Sequence, residues 1–390
     1  MLIAALAAAF VFGACAGSFL GVVIHRMPRG ISIVTPPSRC GACGTRLSSW
    51  ENLPILGWLM LRGRCRHCGT AIPASCLVME LTVALITTGV VWAALSAPWL
   101  LSFPVTAAAV WWAPATAHWL PQVAAMVTLL LLVWLLIAVV VIDWEHLIIP
   151  DELNKGLQVI AIPLAALVGT STIWPWSPQW WFRHWDILDG WVGTPGTAAW
   201  RLGLVVLLGL GLLAASLILA QRIYGRLSEP WEERDHRAMR LGAWWFIGTT
   251  LLWSIATIAL TLWLGAGPLS QDYHPGRLLC TSLAQSILGA LVGWWLPWLV
   301  GLLGTVAFKR NAMGYGDVKL YCALGAFLGP VGAIAAFMLA TVVGTLIGIP
   351  ARLLGGGREM PFGPSLAIGA VLAVALGPWL APLTLGGLLG

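Results

Sequence analysis

Gly314-Tyr315-Gly316-Asp317 stands between two long apolar runs. Such runs recur along the chain. At about 20 residues each, they make it an all-α polytopic membrane protein. An aspartate at a membrane boundary is costly, so Asp317 is a functional candidate by default. The two glycines allow a tight turn and close approach of another segment. The tetrapeptide alone proves little. Its weight rests on a second carboxylate at the same membrane depth. Asp143, in Val141-Ile142-Asp143-Trp144-Glu145 at the end of another apolar run, is placed to be that partner.

The composition agrees. The 390 residues are 59% hydrophobic and 9% charged, with 25 Trp and a mean hydropathy of +0.88. The net charge of +6 is not a nucleic-acid footprint, because the 21 basic residues lie in separated loops. They report orientation through the positive-inside rule instead. Met1 to Val23 has the length of a signal peptide, but no positive charge precedes its apolar run. It is expected to be a retained first span, within a first segment 1–24.

Residues 25–76 form the one sizeable polar segment. Between 25 and 75, seven Arg face Glu51 alone, which puts this segment in the cytoplasm. The remaining expected spans lie at about 77–95, 122–142, 156–174, 202–220, 243–265 and 281–307. Two more fit in 318–350, and a last one fills 364–386. The count is about ten. Gly13, Gly17 and Gly21 suit close helix packing in the first span. The loop Arg222 to Arg240 has five Arg among four acids and is also placed inside. On this tracing Asp143 and Asp317 both emerge on the cytoplasmic side. The membrane domain would be 77–390, with a helix pair inserted at about 175–280.

Two motifs carry chemistry. Cys40-Gly41-Ala42-Cys43 and Cys65-Arg66-His67-Cys68 are C-x-x-C knuckles, each followed by a glycine. Four thiolates so arranged suit a tetrahedral structural Zn2+ site in a small zinc-ribbon-like loop domain. A reducing cytoplasm disfavours disulfides, and four closed ligands leave no position for catalysis. A redox pair is the competing account. Cys15, Cys76, Cys280 and Cys322 read as buried small hydrophobes.

The second motif is the pair Asp143 and Asp317. Two close carboxyls cannot both ionise easily, so one activates water while the other polarises a carbonyl. The plainer account is that each aspartate caps a helix at the interface. Asp151 and Glu152 read as helix-start charges. Glu145 reads as a solvated loop charge. Glu80, inside a span, is expected to snorkel or to pair with an Arg of the polar loop. Lys319 either tunes the aspartate pair or marks the inner boundary. His25, His67 and His146 are given no role.

Further matches fall in a fixed order: Gly17-Ser18-Phe19-Leu20, His25-Arg26-Met27-Pro28, the two knuckles with Trp50-Glu51-Asn52-Leu53-Pro54 between them, and Glu80. Then come Ile142-Asp143 through Ile149-Pro150-Asp151, Gly314 to Leu320, and Pro361-Phe362-Gly363-Pro364. With these the chain resembles the bacterial type IV prepilin leader peptidase and N-methyltransferase family, which are G-x-G-D aspartic peptidases. The resemblance covers about 10–160 and 305–375. It implies cleavage of the basic leader from prepilins and pseudopilins after Gly, on the cytoplasmic side of the bacterial inner membrane. It further implies methylation of the new N-terminus with S-adenosylmethionine. The family's catalytic aspartates fall on Asp143 and Asp317, with Gly314, Gly316 and Lys319 supporting the loop. Substrates and the pilus or type II secretion machinery would be its partners, within membrane lipid. The chain departs from the family at Gly21 (usually Asn), at Glu145 (commonly Asp) and in the long gap between the aspartates. The residues of a methyl-donor site are left open. A transporter or channel with intramembrane carboxylates and a cytoplasmic zinc module is the alternative function. A scaffold that recruits a secretion ATPase is a third.

Overall fold

The computed structural model describes residues 2–96, 119–168, 275–308, 313–353 and 361–380. Among these the chain is helical. The helices are α1 (Leu2–Arg26), α2 (Leu56–Met60), α3 (Ala74–Ser96), α4 (Trp119–His146), α5 (Asp151–Val168), α6 (Pro275–Phe308), α7 (Tyr315–Leu353) and α8 (Gly363–Leu380). Extended pairing among the described residues is confined to two isolated bridges, Arg39 with Arg46 and Arg64 with Ala71. Five described segments are long and apolar enough to cross a membrane: Leu2–Arg29, Ala74–Ser96, Met126–His146, Gln285–Thr305 and Tyr315–Leu353. The chain divides into two compact units, one of Met1–Ser102 with Val123–Ile148, the other of Phe103–Gln122 with Ile149–Gly390.

In the first unit α1 packs on α3. Gly13 and Gly17 make the contact possible. A Cβ at Gly13 would fall 2.7 Å from Thr87 Cβ, and one at Gly17 would fall 2.8 Å from Glu80 Cα. Small residues one helical turn apart thus let two backbones touch, as expected. Gly21 differs: a Cβ there meets nothing within 4 Å. Trp134 of α4 joins the same face. Its indole Nε1 donates to Thr87 Oγ1 at 3.0 Å, and its ring lies 5.5 Å from Phe12.

In the second unit α7 is central, packing against α5, α6 and α8. Residues 317–329 of α7 are all buried. Glycines again set the closest approach. A Cβ at Gly289 of α6 would land on the carbonyl oxygen of Gly325, and one at Gly325 on that of Gly289. Gly289→Ala is therefore expected to destabilise by about 1–3 kcal/mol, the usual cost of overpacking. Gly156→Ala is the control, since a Cβ there meets nothing. A thermal melt of the two variants in detergent checks this, and equal midpoints would count against the packing described.

Two stretches where spans were expected carry further detail. A span was expected at about 156–174; α5 (Asp151–Val168) covers its first part, and residues 169–174 lie outside the described residues. The helix is amphipathic. Its polar positions Asp151, Asn154 and Gln158 are spaced i, i+3, i+7, and all three contact α7. Two spans were expected in 318–350. There, α7 breaks at Gly329 (φ 66°, ψ 174°). Pro330 supplies no amide and pushes its predecessor out of helical geometry, and glycine accepts the positive φ. Residues 315–328 are only about 20 Å long at 1.5 Å per residue, against a hydrocarbon core of about 30 Å. The Tyr321 hydroxyl donates to Ala333 O at 2.5 Å, tying the two arms together. The expected spans at 202–220 and 243–265, the insert up to residue 274, and the loop Arg222 to Arg240 lie outside the described residues.

Candidate active site

The Gly314–Asp317 stretch is the turn that opens α7. Asp317 N donates to Gly314 O at 3.2 Å. The Asp317 carboxyl folds back over Gly314, where a Cβ would stand 3.1 Å from Oδ2. A Cβ at Gly316 would stand 3.2 Å from Ile149 Cβ. Each glycine therefore has its own task. Gly314 leaves room for the carboxyl, and Gly316 lets the segment before α5 lie against the turn. Asp317 is 8% exposed. Tyr315 between the glycines meets the Trp294 ring edge-on at 5.6 Å.

Lys319 does not stand free at an inner boundary. It is 3% exposed and pairs with Asp151 Oδ1 at 2.5 Å. Its ammonium also lies 4.9 Å from the centre of the Tyr315 ring. Asn154 Nδ2 donates to Gly316 O, and Gln158 Nε2 to Lys319 O, each at 3.3 Å. Asp151 thus does more than offer charge to a helix start. One face of α5 grips the turn and the first coil of α7. Removing Asp151's charge leaves a buried ammonium uncompensated. Asp151→Asn should destabilise by a few kcal/mol, below the roughly 3–5 of a fully buried pair because Asp151 keeps contact with solvent. Adding Lys319→Met should restore much of that loss in a thermal melt. Continued loss in the double variant would mean that the pair has another function in the fold.

Asp143 lies in the first unit, in the last turn of α4, and is 5% exposed. The helix continues past it to His146, and Leu147 N closes the end by donating to Asp143 O at 2.8 Å. Glu145 is exposed, as expected, but it stands in the last turn of α4 rather than in a loop, and its Oε2 lies 3.9 Å from His146 Nε2.

Cys40, Cys43, Cys65 and Cys68 converge, with their sulfurs all within 4.8 Å of one another. The two knuckles fold alike. Cys40 N donates to Thr45 O and Gly44 N to Cys40 O, both at 2.9 Å. Cys65 N and Gly69 N repeat the pattern with Thr70 O and Cys65 O. Gly44 and Gly69 both take φ of 70°. The Cys40 and Cys68 sulfurs are 3.8 Å apart, the edge expected of a tetrahedron with metal–sulfur bonds of about 2.3 Å. Thr45 and Thr70, which sequence reasoning passed over, lie 3.3 Å from Cys43 Sγ and Cys68 Sγ. The Thr70 hydroxyl and backbone hold Cys68 down to about 6, and those of Thr45 lower Cys43. This site can hold a metal ion.

Between the knuckles, Glu51 turns back on its own loop. Its Oε2 accepts from Ser48 N at 2.8 Å and Ser48 Oγ at 2.7 Å. Those donors keep its carboxyl below the ordinary range. Glu80 is half-buried, and the partner seen for it is a backbone amide rather than an arginine. Its Oε2 accepts from Ile55 N at 2.6 Å.

Two family models match the chain. The Bacterial Peptidase A24 N-terminal domain covers residues 11–94, and the Type IV leader peptidase family covers 235–349. Asp317 falls within the second range, and Asp143 outside both. A protein of Myxococcus xanthus named prepilin leader peptidase/N-methyltransferase is 52% identical over 77 residues, which are 20% of this chain and 23% of that protein. Relatives of the same name from Aeromonas hydrophila and Pseudomonas aeruginosa are each 24% identical over 94% of this chain, covering 89% and 88% of their own lengths. No solved structure matches the chain significantly.

Proposed function

We infer that this chain, which belongs to the type IV leader peptidase family, is a membrane endopeptidase that removes the basic leader of type IV prepilins and pseudopilins. It cuts after Gly and then methylates the new N-terminal amine. The observation that carries the peptidase is a buried carboxyl, Asp317, set at the start of an apolar helix by a turn into which Gly314 and Gly316 let their neighbours pack closely. Asp143, equally buried at the end of another apolar helix, is our second catalytic residue. One carboxylate takes a proton from water as it attacks the scissile carbonyl, and the other, protonated, donates to the carbonyl oxygen. The proton is then passed to the leaving amine. The roles can interchange, and the apparent pKa values belong to the pair.

The arrangement around the dyad follows from the same reading. About ten spans would place both aspartates on the cytoplasmic side of the inner membrane, an even number of inserted spans preserving that sidedness. Residues 1–24 form the first span, 25–76 the cytoplasmic loop domain and 77–390 the peptidase domain. Cys40, Cys43, Cys65 and Cys68 hold a structural zinc ion, and the 3.8 Å sulfur–sulfur edge supports that assignment. S-adenosylmethionine, when bound, supplies the methyl group. The pilus or type II secretion apparatus would receive the products.

Substrate selection is electrostatic as well as apolar. Of Asp143, Glu145, Asp151, Glu152 and Asp317, Asp151 is paired off with Lys319, and the negative character of the rest suits a basic leader. Glu145→Lys and Glu152→Lys are expected to raise KM on a prepilin several-fold with kcat largely kept. Steady-state kinetics on purified protein decides this. An unchanged KM with a collapsed kcat would make the residue concerned part of the chemistry and remove the recognition role.

A further inference from the structure

A carboxyl in the first turn of a helix points where its backbone puts it, because rotamers follow φ and ψ. Asp317 is such a residue. The peptide unit that leads into it, Gly316–Asp317, is held at both ends. On one side Asp317 N donates to Gly314 O at 3.2 Å. On the other, Gly316 O accepts from Asn154 Nδ2 at 3.3 Å, a contact across 162 positions of sequence. We propose that Asn154 is a positioning residue for the peptidase: it holds the Gly316–Asp317 peptide and so aims the Asp317 carboxyl. The proposal rests on Asp317 being catalytic and adds a residue that acts through it.

The turn needs such a hold. Gly314 and Gly316 give it more backbone freedom than other residues would, and a carboxyl carried on it keeps one direction only if the peptide is fixed from outside. Asn154 is itself well fixed. It is fully buried in the first turn of α5, and its own amide donates to Pro150 O at 3.2 Å. Ile149, just before α5, closes on the turn as well, 3.2 Å from where a Cβ of residue 316 would stand.

Holding the helices together does not account for Asn154. α5 packs against α6 and α7, and its Leu153, Leu157, Ala161, Ile162 and Ala165 are all buried. This apolar stripe is enough to dock a helix. Asn154 Oδ1, by contrast, is buried with no donor among the described residues. An unmet buried acceptor costs at least as much as one hydrogen bond returns, so for stability alone a leucine would serve as well. Polar groups kept on such terms concentrate where function needs them. Gln158, one turn further along the same face, supplies the comparison. It is buried too, and its Nε2 donates to Lys319 O at 3.3 Å. The two bonds match in donor and length, but the acceptor of Gln158 lies beyond the peptide that carries Asp317.

The test uses the purified full-length protein in detergent, with steady-state cleavage of a prepilin and a thermal melt for each variant. Asn154→Leu keeps the size of the side chain and removes the donor. It is expected to lower kcat on the order of 10- to 100-fold, the scale of an ångström-sized misplacement, with KM unchanged and a melting midpoint no lower than that of Gln158→Leu. Gln158→Leu is expected to cleave at the wild-type rate. Should Asn154→Leu fail to accumulate, Asn154→Ala removes the donor without adding bulk and is read by the same criteria. A wild-type kcat in the Asn154 variant would overturn the proposal. So would equal losses of kcat at both positions, or a loss that appears in KM alone. Wild-type protein that leaves the prepilin intact, or Asp317→Asn that still cuts it, would overturn the peptidase reading beneath the proposal.

Discussion

Asp143→Asn and Asp317→Asn should each abolish leader removal, a fall on the order of 10⁴-fold or more, and the double variant should be no slower than either. Asn keeps the shape of the carboxyl but can neither take a proton from water nor share one with its partner. Groups that act as a unit lose everything with the first deletion. Both aspartates are almost fully buried at ends of apolar helices, so each substitution also spares the protein a costly charge. The variants are therefore expected to insert and to accumulate normally. Wild-type cleavage should fall off on both sides of a pH optimum, because one carboxyl must be ionised while the other is protonated. Either single variant retaining most of its activity at matched membrane levels would remove that aspartate from the mechanism.

Loss of zinc should be nearly as damaging to the loop domain. Between residues 27 and 73 the buried residues are Glu51, Gly57, Gly63 and Cys65. Four such residues are no hydrophobic core, and on the proposed zinc assignment the segment folds on its metal. Structural zinc binding is worth about 10–16 kcal/mol in small zinc modules. Cys40→Ser with Cys65→Ser removes one ligand from each knuckle. The double variant should contain no zinc by elemental analysis and should be cut readily by protease within 27–73. Cys68 is held down to about 6. All four thiols must lose their protons to bind the ion, so zinc uptake by metal-free protein should weaken as pH falls. Wild-type protein free of zinc, with a double variant equally protease-resistant, would contradict the assignment.

How much could be read from sequence depended on whether a feature was local. The Gly13 and Gly17 contact was legible because small residues one turn apart have few other uses in a membrane helix. The cysteine cluster was legible because knuckle spacing constrains ligand geometry. The Asp151–Lys319 pair was not, because 168 residues separate its members and an aspartate at a helix start already has a sufficient local explanation. The polar spacing of Asp151, Asn154 and Gln158 was available, and it would have marked one face of α5 as gripping another helix. Glu80 misled for a related reason. Its partner is a backbone amide, exposed only because Ile55 adopts a conformation its side chain disfavours, and no sequence rule anticipates that. The break at Gly329-Pro330 was visible as a dipeptide. Its position, one short arm into α7, follows from packing against α6.

The central claim is that this protein cuts prepilins with its two buried aspartates. It is tested most directly by mass spectrometry of one reaction: purified protein with a full-length prepilin, set beside the Asp143→Asn and Asp317→Asn variants at equal concentration. The wild-type reaction should yield a basic leader ending in Gly and a mature chain starting at the next residue, and both variants should leave the prepilin intact. An intact prepilin with wild-type protein, or the same two fragments from either variant, would contradict the account.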